Sequence, residues 1–114
     1  MTVADPPYEV VCRADDPRWL EHRKSGIGAS EAAGLIGASP WISQLELYAL
    51  KTGAKPPKDL SGVEVVDWGH RLEPVIITAF RDRTGRFVDH GGLLLRSKRH
   101  PWALATLDAW CAVE

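Results

Sequence analysis

The chain of 114 residues is 45% hydrophobic and 25% charged, a balance that fits one compact domain with a modest core and excludes a disordered tail. Fourteen Lys and Arg against fifteen Asp and Glu leave a net charge of −1, so the overall charge singles out neither a nucleic acid nor a membrane surface as partner. Cys12 and Cys111 lack C-x-x-C spacing, which argues against a zinc knuckle or a disulfide-rich secreted scaffold. No stretch reaches the roughly 18 apolar residues of a membrane helix, and the N-terminus lacks the basic-then-apolar order of a signal peptide. A soluble, cytoplasmic protein is expected.

Residues 1–14 are proline-rich and weakly patterned and read as an extended N-terminal arm. Asp16 before Pro17 is an N-cap signal that opens a short helix through Trp19, Leu20 and Arg23. In "GIGASEAAGLIG", Ser30 or a neighbour caps a second short helix and Gly37 stops it. Ser43 and Glu46 match a capping box for a third helix at about residues 44–52, with Leu45, Leu47, Tyr48 and Leu50 as its apolar face and Gly53 as its end. The segment "AKPPKDLSG" is a loop.

The longest helical pattern runs from about Val63 to Thr84, opened by a second capping box, Ser61 with Glu64, and closed by Gly85. Pro74 lies inside it and predicts a kink or restart near Glu73. Leu72, Ile76, Ile77 and Phe80 form its inward stripe, with Glu73 at the edge. After Gly85 the period changes to short β-type runs, "RFVDH", "LLLRS" and "ALATLDAWCAV", which predict a small antiparallel sheet. Helices come first and strands follow, in an α/β class of α+β order, with no repeat and no linker that divides residues 15–114.

Two acids stand out against apolar neighbours: Glu73 on the long helix and Asp108 in the last strand-like run. A buried carboxylate needs a counter-charge, hydrogen bonds or a metal. Two carboxylates from different elements suit a hard cation such as Mg²⁺, while a salt bridge to Arg71, Arg81 or Arg83 explains either acid equally well. His70, three residues before Glu73, reads as a surface histidine or an additional metal ligand. The glycine stretch around Ser30, with Arg23 nearby, is either an ordinary helix cap or an anion-binding turn. Residues 1–50 carry four basic and seven acidic side chains, against ten and eight in residues 51–114. The basic excess is densest at Arg96, Lys98 and Arg99 beside His100, a solvated turn or a phosphate contact.

In order along the chain, "WLEHRKSGIGASEAAGLIGASPW", "LELYALKTG", "WGHRLEPVIITAF", "TGRFV" and "HPWALATLDAW" resemble the YqaJ-like, lambda-exonuclease-like family of phage recombination nucleases within the PD-(D/E)xK superfamily. The resemblance implies that residues 15–114 form the N-terminal portion of such an exonuclease domain, an incomplete restriction-endonuclease-like core. It also implies that Mg²⁺ or Mn²⁺ is the cofactor and that linear double-stranded DNA ends are the substrate. By the same resemblance Glu73 and Asp108 are the catalytic, metal-ligating acids, and Arg23, Ser30 and Thr106 grip the 5′ phosphate. A single-strand annealing protein and further copies of the chain are candidate partners, in a bacterial or phage-infected cytoplasm. The family pattern continues to a Glu-x-Lys that residues 109–114 do not contain. Little or no cleavage by these residues alone is therefore expected, with a DNA-end-binding module or a purely structural domain as the competing readings. Ala109, where the family usually has Gly, stiffens the turn after Asp108.

Overall fold

A computed structural model describes residues 5–89 and 91–111. Its elements are β1 (Tyr8–Arg13), α1 (Trp19–Arg23), a 3-10 turn (Ala29–Glu31) running into α2 (Ala32–Leu35), α3 (Gln44–Thr52), α4 (Glu64–Thr84), β2 (Val88–Asp89), β3 (Leu93–Ser97), β4 (Leu104–Leu107) and β5 (Trp110–Cys111). Helices and small antiparallel sheets give the mixed α/β class that the sequence predicts. The chain divides into two compact units. One takes in the chain up to Pro57 together with Gly92–Leu107; the other takes in Lys58–Gly91 and the chain from Asp108 onward.

In the first unit β3 is the middle of a three-stranded antiparallel sheet of order β1-β3-β4. The segment expected as an extended arm thus supplies a strand, in register from Tyr8 opposite Ser97 to Arg13 opposite Leu93. A register shift between Val10 and Cys12 inserts Val11 as an extra residue, which breaks the in-out alternation by which a strand is recognised in sequence. Cys12 is 8% exposed and packs with Leu94 and Leu104, and Val11 and Trp19 close over this cluster.

The glycine stretch before Ser30 lies against the start of β4. Ile27 N–H donates to the Trp102 carbonyl at 2.7 Å and Leu104 N–H to the Ile27 carbonyl at 2.9 Å, a parallel bridge that explains Gly26. A Cβ at Gly26 would stand 2.5 Å from the Trp102 carbonyl oxygen and 2.8 Å from Leu104 Cγ. Asp16 acts two residues before the cap position of the first helix rather than as its cap: its Oδ1 accepts the Arg18 N–H at 2.7 Å, and α1 starts at Trp19. Ser43 caps α3, its Oγ accepting the Glu46 N–H at 3.1 Å, while the Glu46 carboxylate pairs with Lys55 Nζ at 2.7 Å, and the helix ends at Gly53 in the left-handed conformation. Of its apolar face only Leu47 is buried, and Leu45 and Tyr48 are exposed.

In the second unit α4 starts without a side-chain cap, at Val63. Ser61 is drawn into a turn with Asp59 instead, its N–H donating to Asp59 Oδ1 at 2.9 Å, and hydrogen bonds from Ser61 lower the Asp59 pKa. The helix passes through Pro74 without the predicted restart and ends at left-handed Gly85. β2 and β5 pair antiparallel, Val88 opposite Cys111 and Asp89 opposite Trp110. The Arg81 side chain donates to the Val88 carbonyl, tying the end of α4 to this ribbon. The expected inward stripe is not buried: Leu72, Ile76 and Phe80 are exposed, Ile76 by 65%, and among the described residues α4 has none in the core. No helix of the described residues is long and apolar enough to cross a membrane.

Candidate functional site

The helical repeat places His70 and Glu73 one turn apart on α4, so both face the same side. Asp108 follows β4 directly, on a bend before β5. The run "ALATLDAWCAV" is therefore two strands, interrupted at the acid, and its residues Ala112 and Val113 lie outside the described residues. Asp108 is exposed rather than embedded in an apolar strand, because a carboxylate at a bend keeps its hydration. Glu73 is half-buried.

Both acids line one cavity of about 480 Å³, together with His70 and the apolar side chains of Val66, Ile76 and Ile77. Gly69, on the same wall, has nothing within 4 Å of where a Cβ would be, and contributes open space. Pro74 has no N–H for the His70 carbonyl, so that oxygen lacks its usual helical donor beside the cavity. Two of the arginines considered as partners for the acids have other bonds: Arg71 Nε contacts Asp67 Oδ2 at 2.8 Å, and Arg81 holds Val88.

The three residues expected at the phosphate all belong to the first unit. Arg23 ends α1, half-buried, and its Nη2 lies 3.9 Å from where a Cβ on Gly28 would stand. The turn that follows is closed by Glu31 and not by Ser30. Glu31 Oε1 accepts the Gly28 N–H at 2.8 Å and pairs with Lys51 Nζ at 2.8 Å, which also donates to the Arg23 carbonyl at 2.7 Å. Ser30 is exposed within the turn, and Thr106 is exposed on the edge strand β4, opposite Leu94. The Glu31 to Gly28 spacing of three was readable as a cap signal, whereas Lys51 is twenty residues further on and no local pattern announces it.

The late basic cluster divides. Arg96 is half-buried in β3, donates to Ser25 Oγ and lies 3.9 Å from Glu9, so it belongs to the sheet. Lys98, Arg99 and His100 remain exposed between β3 and β4.

The profile of the YqaJ-like viral recombinase domain matches residues 18–114. The chain belongs to that family. A relative is the uncharacterized protein YqaJ of Bacillus subtilis (strain 168), 33% identical over 90 residues, which cover 79% of this chain and 28% of the relative. The chain thus spans less than a third of that relative's length. No solved structure gives a significant match.

Proposed function

We propose that this YqaJ-like chain carries the metal-binding and DNA-end-binding part of a phage-recombination nuclease that hydrolyses phosphodiesters from an end of linear DNA. The observation that supports the reading is the shared cavity: a helix acid, Glu73, and an acid on the bend after β4, Asp108, line the same 480 Å³ space. Water takes up about 30 Å³, so a hydrated cation and a phosphate group fit together there. Oxygen donors from two carboxylates suit Mg²⁺ or Mn²⁺, which keep several waters. When bound, such an ion supplies positive charge to a phosphate oxygen and acidifies water.

The chain's own residues do the rest. Glu73 and Asp108 present anionic oxygens, and Val66, Ile76 and Ile77 supply the apolar part of the wall around them. Arg23 supplies a two-pronged donor for a terminal phosphate, and Ser30 and Thr106 supply hydroxyls.

Mn²⁺ should raise the melting temperature of the wild-type chain, by the equivalent of about 2.7 kcal/mol at a hundred times its Kd, and Glu73→Gln or Asp108→Asn should abolish the rise. A rise that survives both substitutions overturns the metal assignment. In parallel, Arg23→Ala should weaken binding to 5′-phosphorylated ends more than to 5′-hydroxyl ends. End binding with no response to Mn²⁺ would instead assign the chain to DNA-end recognition alone.

A further inference from the structure

Cys12, Asp16 and His22 play no part in the site above. They come from three successive pieces of the first unit: β1, the turn that follows it, and α1. Their ligand atoms, the thiol sulfur, a carboxylate oxygen and an imidazole nitrogen, all lie within 4.8 Å of one another.

Local structure brings them together. The register shift in β1 directs Cys12 into the core side of the sheet. Asp16 N–H donates to the Arg13 carbonyl at 3.1 Å and Trp19 N–H to the Asp16 carbonyl at 3.0 Å, which folds the chain back so that α1 lies beside β1. The Asp16 carboxylate is oriented: Oδ1 is held by the Arg18 N–H at 2.7 Å, and Oδ2 faces His22 Nε2 at 4.0 Å. The end of α1 is held in turn by Ser25 Oγ, which donates to the His22 carbonyl at 2.6 Å.

We propose that Cys12, Asp16 and His22 form a three-ligand site for a zinc-class ion, with water as the fourth ligand. Thiolate, imidazole and carboxylate are the donors that zinc takes, at about 2.3, 2.0 and 2.1 Å. A tetrahedron with those bonds sets its ligand atoms about 3.3–3.6 Å apart, so the ligand atoms close by up to about 1.3 Å on binding. The thiol excludes Mg²⁺, which prefers oxygen donors.

A cysteine nucleophile is the competing use of these residue types, and the surroundings oppose it. Burial raises the Cys12 pKa, and the neighbouring Asp16 carboxylate raises it further. A nucleophile needs the opposite shift. A divalent cation reverses the situation, since a coordinating thiol gives up its proton. The ion would join β1 to α1 and thereby fix the helix whose last residue is Arg23.

Cobalt(II), which reports its ligands by absorption, tests the site in the chelator-treated protein. One equivalent should produce a thiolate-to-cobalt charge-transfer band in the near ultraviolet and the visible bands of four-coordinate cobalt, both displaced by Zn²⁺. Cys12→Ser should remove the charge-transfer band, and His22→Gln, at a half-exposed position that leaves the core intact, should weaken cobalt binding at least about tenfold. Cys111→Ser and Glu73→Gln should leave the band unchanged. No charge-transfer band, a band insensitive to His22→Gln, or one lost in Cys111→Ser overturns the proposal.

Discussion

Lys51 joins three parts of the first unit through a single ammonium group, pairing with Glu31 while donating to the carbonyl of Arg23, as Glu31 accepts the Gly28 N–H. Both side chains of the pair are less than one-fifth exposed, so water does little to replace a lost partner. Lys51→Met should lower stability by about 1–3 kcal/mol, measured as a shift in urea midpoint, and should weaken binding to 5′-phosphorylated ends by loosening Arg23. An unchanged midpoint would mean that solvent already screens the pair. At the same scale, a maleimide should modify half-exposed Cys111 well before buried Cys12; equal rates in the native protein would contradict that burial. Asp108 shows what single residues reveal in sequence. Its apolar neighbours suggested a dry strand, but the acid is itself the reason the strand stops, and the apolar residues on either side go to different sheets.

Two glycines test the elements that hold them. Gly26→Ala should destabilise the protein by about 1–3 kcal/mol, because the added methyl meets the Trp102 carbonyl and Leu104 across the parallel bridge. Gly69→Ala in α4 meets nothing and should stabilise it by about 0.5–1 kcal/mol through helix propensity alone. Thermal melts of both variants, moving in opposite directions, are the expected result. In sequence the two glycines look alike, since the partner that makes Gly26 necessary is 76 residues away along the chain. Helix ends were more legible, but not uniformly. Ser43 caps α3 by accepting the Glu46 N–H, whereas Ser61 does not cap α4, because Asp59 takes the Ser61 N–H and left-handed Gly62 moves the start to Val63. β1 is hard to read in the sequence for a different reason: the inserted Val11 removes the alternation that marks a strand. Pro74 predicts a kink or restart near Glu73, yet α4 continues through it without a restart, because the cost of one missing hydrogen bond does not outweigh the turns on either side.

The division into two units has no linker because the chain passes between them three times, at Pro57–Lys58, Gly91–Gly92 and Leu107–Asp108. The first two crossings coincide with turn signals; the third lies inside an apolar run and is invisible to composition. The two candidate acids stand out in the sequence by their apolar neighbours, but nothing in the spacing of residues 73 and 108 says that they share a cavity. Packing differs between the units. Leu94 is 1% exposed at the centre of its sheet, while α4 has no core residue among those described. Hydrogen exchange should therefore be slowest at the amides of β3 and much faster along α4 despite its 21 residues. Protection of α4 equal to that of β3 would contradict this ranking. The strand order carries one more consequence, for how the protein is made. Tyr8 pairs with Ser97, so during synthesis β1 leaves the ribosome long before its partner exists. Until some 85 residues have followed it, this strand is an unpaired edge carrying a free thiol, and the nascent chain has to keep it from other strands for that whole interval.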